Sequence, residues 1–147
     1  MNREALIAEL APVVEALRGA SPDERARAAL AGLDLSALIS ALKLAHSEGW
    51  LTPKEAGGVR FGRLCRPSPE TAGLSVDVVD MAGPASGPHT HVSGEYDLCI
   101  VLEGRPRFDG HEPGWVVYPA GSRHIPTVVG GRMLIAYFVP DGAIRFE

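Results

Sequence analysis

His89 and His91 stand two residues apart, Glu95 and Asp97 stand two apart shortly after, and His124 closes the stretch Pro119-x-Gly121-x-x-His124. On an extended backbone, side chains two apart project from the same face, so each pair presents two polar groups to one side of a sheet. Three imidazoles and a carboxylate converging inside a barrel form a nitrogen and oxygen donor set suited to a divalent transition metal such as Fe, Mn, Ni, Cu or Zn. An acid beside such a centre, its pKa raised by burial and lowered by a cation, can also move a proton. The candidate ligands are therefore His89, His91, His124 and one of the two acids, Glu95 or Asp97, and the candidate catalytic residues are Glu95, Asp97 and His89.

Other reactive residue types have plainer readings. His111 follows Asp109-Gly110, a turn signal, and reads as an exposed turn residue. His46, late in a helical stretch, reads as a favourable charge near a helix C-terminus. Cys65 and Cys99 form neither a dense disulfide framework nor a CxxC pair and are expected to be reduced, with Cys99 a small buried filler on the face of Asp97. Leu98, Ile100 and Leu102 occupy the opposite face and need a cover. The N-terminal helices or a second barrel could supply it, so a homodimer is expected.

The elements that must position these groups fall into two parts. Residues 1–50 read as helices: an apolar stripe of Leu6, Ile7, Leu10, Val13, Val14 and Leu17 ends at Gly19. A second, short helix is capped by Ser21 with Pro22 and Glu24, and a third follows Asp34 and closes at Gly49. Residues 51–147 read as a barrel, with strands over Val59–Leu64, Leu74–Met81, Tyr96–Leu102, Trp115–Tyr118, Ile125–Val129 and Met133–Val139, separated by Gly/Pro clusters. Most of the seventeen Gly and twelve Pro lie in this second part. A mainly β fold follows, an antiparallel sandwich or barrel with an α-helical N-terminal extension.

Fourteen Lys and Arg against eighteen Asp and Glu leave a net charge of −4 and a pI near 5.7, which argues against nucleic acid or an anionic membrane surface as partner. No GxGxxG or GxxxxGK turn supports nucleotide chemistry. The N-terminus does not resemble a signal peptide and no apolar run reaches membrane-spanning length, so a cytoplasmic protein with a small-molecule partner is expected.

Gly83, His89-x-His91, Glu95 and Gly104, followed by Gly114 and Pro119-x-Gly121-x-x-His124, resemble the two motifs of the cupin superfamily. That resemblance implies a jelly-roll barrel whose His, His, acid and His bind a metal. Counting forward from His91 selects Glu95 as the acid, whereas counting back from Gly104 selects Asp97. Across most of the chain, including RFDGHEPGWVVYPAGSRHIPTVVGGRMLIAYFVPDGAIRFE and GEYDLCIVLEG, the sequence is similar to a small family of bacterial 4-hydroxylaminobenzoate lyases. This implies conversion of 4-hydroxylaminobenzoate to 3,4-dihydroxybenzoate with release of ammonia. Such an aromatic carboxylate calls for a guanidinium and an apolar slot. Among Arg60, Arg63, Arg105, Arg107, Arg123 and Arg132, most are surface charges by base rate, and Arg123, adjacent to His124, is the candidate anchor. Tyr96, Tyr118 and Tyr137 are candidate cavity hydroxyls. The alternatives are a metal-dependent dioxygenase or isomerase, distinguished by oxygen uptake, and a non-catalytic small-ligand binder.

Overall fold

The computed structural model describes residues 1–85 and 87–147. Four helices open the chain: α1 (Arg3–Glu9), α2 (Ala11–Leu17), α3 (Glu24–Ala31) and α4 (Ser36–Ser47). The stripe from Leu6 to Leu17 is buried as expected but belongs to two helices rather than one. Pro12 lacks the amide hydrogen that would continue α1 and is tolerated only in the first turn of a new helix. The second cap also differs: Asp23, not Ser21, accepts from the Ala26 amide at 3.0 Å. Asp34 accepts the Ser36 amide at 3.0 Å at the start of α4, and Gly49 beyond its end takes φ +88°. No single helix among the described residues is long and apolar enough to cross a membrane.

Among the described residues nine strands follow: β1 (Lys54–Ala56), β2 (Val59–Cys65), β3 (Leu74–Met81), β4 (His89–His91), β5 (Glu95–Phe108), β6 (Gly114–Tyr118), β7 (Ser122–His124), β8 (Val128–Pro140) and β9 (Ile144–Phe146). They form a six-stranded antiparallel sheet in the order β1-β2-β3-β8-β5-β6 and a three-stranded sheet in the order β7-β4-β9. Of the expected strand at Ile125–Val129 only Val128 and Val129 belong to a strand, at the start of β8, because Pro126 has no amide to give to a ladder and breaks the chain after β7. β5 continues past Gly104 through two bulges, at Val101/Glu103 and Gly104/Arg107. β1 and β9 are three residues each, too short to produce an alternating apolar signal.

β5 is buried on both faces from Glu95 to Ile100. Its even-numbered residues Tyr96, Leu98 and Ile100 share one core with Leu6, Leu30 and Leu42 of the helices, so the chain's own N-terminal segment covers that row. Its odd-numbered residues face the smaller sheet, where Cys99 packs with Met133, Ile135 and Tyr137.

Side chains of α1 and α4, and the segment that follows α4, fasten the N-terminal part to the sheet. Arg3 of α1 donates to the carbonyls of Arg63 and Leu64 at 2.7 and 2.8 Å. His46 is not a free helix-end charge: its Nε2 lies 2.9 Å from Asp80 of β3 and its Nδ1 2.7 Å from the Thr52 hydroxyl. The segment Leu51–Pro53 crosses β2 so closely that a Cβ on Gly62 would lie 2.1 Å from the Leu51 carbonyl oxygen. Gly62→Ala should therefore destabilise the protein by roughly 2 kcal/mol or more, because backbone rather than a flexible side chain must move. Urea denaturation reads this directly, and an unchanged midpoint would show that the crossing is looser than drawn.

Candidate metal centre

His89 and His91 project inward from β4, and His124 from β7, which pairs with β4 so that His89 stands opposite His124. Glu95 begins β5 in the facing sheet, immediately after Gly94. Gly94 adopts φ +84°, and a Cβ there would collide with Pro22 of the helical segment and with the Tyr118 carbonyl. Only glycine allows the turn that launches the acid at this point.

One ligand atom from each of His89, His91, Glu95 and His124 lies within 4.8 Å of the others. The Nε2 of His89 is 2.9 Å from that of His91 and 3.0 Å from that of His124, and Glu95 Oε2 is 2.6 Å from His91 Nε2. His89, His91 and Glu95 are buried.

The tautomers follow from the outer ring nitrogens. The Ser122 hydroxyl spends its hydrogen on the Pro119 carbonyl at 2.7 Å, so at 2.9 Å it must accept from His91 Nδ1. Asp109 accepts from His124 Nδ1 at 2.5 Å. Burial would raise the Asp109 pKa, but hydrogen bonds from His124, from the Tyr118 hydroxyl and from the Thr127 amide outweigh it and hold the carboxyl below its ordinary range. His91 and His124 therefore both turn a bare Nε2 lone pair inward. Burial and the two neighbouring imidazoles push the His89 pKa down to about 4, so this ring is a neutral base above that pH. Two inward lone pairs, on His91 and His124, lie within hydrogen-bond distance of the His89 Nε2, and with a buried Glu95 oxygen that no hydrogen bond satisfies this donor set fits a divalent cation.

The groups behind the ligands should tune that cation. Asp109→Asn and Ser122→Ala are expected to weaken metal affinity by about 10- to 100-fold. Asp109 should have the larger effect, since it holds His124 and Tyr118 together. Competition against a chromophoric chelator measures both, and equal, wild-type affinities would sink the tautomer argument.

Asp97 lies behind Glu95 on the same face of β5, fully buried, and no group donates to either of its oxygens among the described residues. Burial first, and then the adjacent Glu95 carboxylate, push its pKa well above the ordinary value. Both causes favour its neutral, protonated form. Burial and Asp97 likewise raise the Cys99 thiol, which stays protonated as a filler.

A cavity of about 730 Å³ opens beside the centre, reached by His89, Glu95 and Tyr137 at its inner end and walled by Val59, Phe61 and Val79. Two of the tyrosine candidates are not part of it. Tyr96 points to the helix-side core, and Tyr118 stacks on His91 and His124 with its hydroxyl committed to Asp109. Arg123 faces the opposite way from its neighbour His124, exposed and paired with Glu147 at 2.8 Å. His111 is exposed in the Asp109-Gly110 turn, as expected. Asp109 and Ser122 carry no signal beyond turn propensity in the sequence, and only the fold brings them to the imidazoles.

The two sheets and their histidine and carboxylate centre define a cupin. The profile of the 4-hydroxylaminobenzoate lyase family matches residues 29–146, and the chain belongs to that family of enzymes. The 4-hydroxylaminobenzoate lyase of Pseudomonas putida is 29% identical over 120 residues, which cover 69% of this chain and 67% of that protein. Its counterpart from Nocardioides sp. (strain LMS-CY) is 28% identical over 109 residues, covering 68% and 64%, so the chain spans about two thirds of the length of these relatives. Among solved structures, an acetylacetone dioxygenase from Acinetobacter johnsonii is similar at a TM-score of 0.44 and 18% identity, covering 62% of this chain and 64% of that one.

Proposed function

We propose that this chain is a metal-dependent lyase that converts 4-hydroxylaminobenzoate and water to 3,4-dihydroxybenzoate and ammonia. The observation that carries the reading is the set of inward-facing imidazole nitrogens with Glu95 at the end of an apolar cavity, in a chain of this family. His89, His91, Glu95 and His124 would hold the metal, and a divalent ion in this set supplies Lewis acidity toward oxygen.

The remaining work falls to side chains. The N–O bond of the substrate breaks with its electron pair going to oxygen, so the departing hydroxyl needs a proton. Asp97 stores one at a buried carboxyl and Glu95, which faces the cavity, is the group through which that proton reaches the substrate. Water then adds at the ring carbon beside the nitrogen. The imine left behind is hydrolysed by a second water, ammonia departs, and tautomerisation restores the aromatic ring. One water is lost and two are taken up, which balances the overall reaction. The apolar walls keep other solvent from the electron-poor ring.

Metal analysis of the purified protein beside an ammonia-release assay with 4-hydroxylaminobenzoate tests the reading. The expected result is stoichiometric metal and ammonia release without oxygen uptake. Oxygen consumption with catechol-type substrates and no ammonia would replace the lyase with a dioxygenase.

A further inference from the structure

The register of the large sheet lines up a row of polar side chains across the cavity face. Arg63 of β2 pairs with Asp77 of β3, Asp77 with Tyr137 of β8, and Tyr137 with Asp97 of β5. Directly opposed residues share a face, so all four look toward the cavity. Two residues along each strand, the next row is apolar: Phe61, Val79, Ile135 and Cys99. The cavity thus has an acidic, metal-binding inner end, an apolar wall, and a cationic rim of Lys54, Arg63 and Arg66.

Arg63 differs from the other two rim cations in being held. Its Nε and one terminal nitrogen donate to the two oxygens of Asp77 at 2.8 and 3.3 Å. Its other terminal nitrogen has no partner among the described residues, and the side chain is half exposed. A guanidinium fixed along one edge and free along another is preorganised for a second carboxylate. Neighbouring strands are about 4.8 Å apart, so Arg63 on β2 stands about 14 Å in backbone from β5, which carries Glu95, and the side chains reaching into the cavity from both ends narrow that gap. That separation suits a benzene ring with substituents at opposite ends, one on the rim and one at the centre.

We propose that Arg63, positioned by Asp77, anchors the carboxylate of a para-substituted benzoate whose ring lies on Phe61 and Val79 and whose other end meets His89 and Glu95. The assignment rests on the proposed lyase reading for the substrate class, but it concerns binding and is separable from turnover. It makes the protein select para-substituted acids over meta-substituted acids and over neutral analogues of the same shape.

Calorimetric titration of the metal-loaded protein with 4-hydroxybenzoate, 3-hydroxybenzoate and 4-hydroxybenzamide tests this. Wild type should bind the para acid tightest. Arg63→Gln should weaken the acid on the order of 10- to 100-fold and leave the amide unchanged, removing the discrimination between them. Arg63→Lys should retain part of it, and Asp77→Asn should lose a smaller share on the acid alone. Arg66→Gln, at the same rim, should leave the preference intact. Equal losses on acid and amide in Arg63→Gln, or a loss carried instead by Arg66→Gln, would overturn the assignment. Arg63-dependent acid binding without ammonia release keeps the anchor and removes the lyase. Ammonia release indifferent to Arg63 keeps the lyase and removes the anchor.

Discussion

His124→Ala, like His91→Ala, is expected to lose the metal and to lower ammonia release from 4-hydroxylaminobenzoate by at least about a thousandfold, the scale of several kcal/mol of lost charge stabilisation. Each substitution removes one of only three inward nitrogens, and each also releases an outer partner, Asp109 or Ser122. The sheets should survive, because the helix-side core holds the large sheet without either ring. Metal content, circular dichroism and turnover measured on the same preparation check this. A His124→Ala protein that keeps its metal and its rate would remove His124 from the centre. Acidification toward pH 4, where His89 takes up a proton, should reproduce the loss in wild type, since that proton competes with the metal for the same nitrogen.

Asp97→Asn should lower kcat by about 10²- to 10⁴-fold while leaving metal content intact. The amide matches the neutral acid in shape but carries no proton of suitable acidity. The same substitution should stabilise the metal-free protein at neutral pH. The folded pKa of Asp97 is raised, so above the unfolded value of about 3.9 the unfolded chain releases a proton that the folded chain keeps, and stability falls as pH rises through that window. Asn has no proton to release, and the slope contributed by this site should vanish. Denaturation of chelator-treated protein at several pH values measures it. A kcat within a few-fold of wild type would show that Asp97 merely fills space.

Much of the centre was legible in the sequence because its residues sit at period two on extended segments. His89 with His91, and Glu95 with Asp97, need only an alternating backbone to share a face. Their convergence with His124 does not follow from spacing; it depends on β7 pairing beside β4 and on β5 starting across from both. Asp109 and Ser122 were invisible for the same reason, since each is an ordinary turn or strand-edge residue until folding places it against a ring nitrogen. Arg123 is adjacent to His124 in sequence, yet alternation turns neighbours to opposite faces. That rule, applied to Val59, Phe61 and Arg63, would have placed Arg63 on the apolar, cavity side. The helix boundaries moved because Pro12 and Asp23 impose local chemistry that an apolar stripe does not register.

The double burial of β5 separates two kinds of selection by residue parity. At even positions Tyr96, Leu98 and Ile100 hold the helices, and at odd positions Glu95, Asp97 and Cys99 lie on the side of the histidine centre. A single strand of backbone thus carries an inheritance for persistence on one side and for chemistry on the other. A lineage can drift toward a new substrate by changing odd residues while even ones keep the protein alive, and can adapt to heat by the reverse route. Gly94 and Pro22 mark where that independence ends, because there the cover touches the turn that aims the acid.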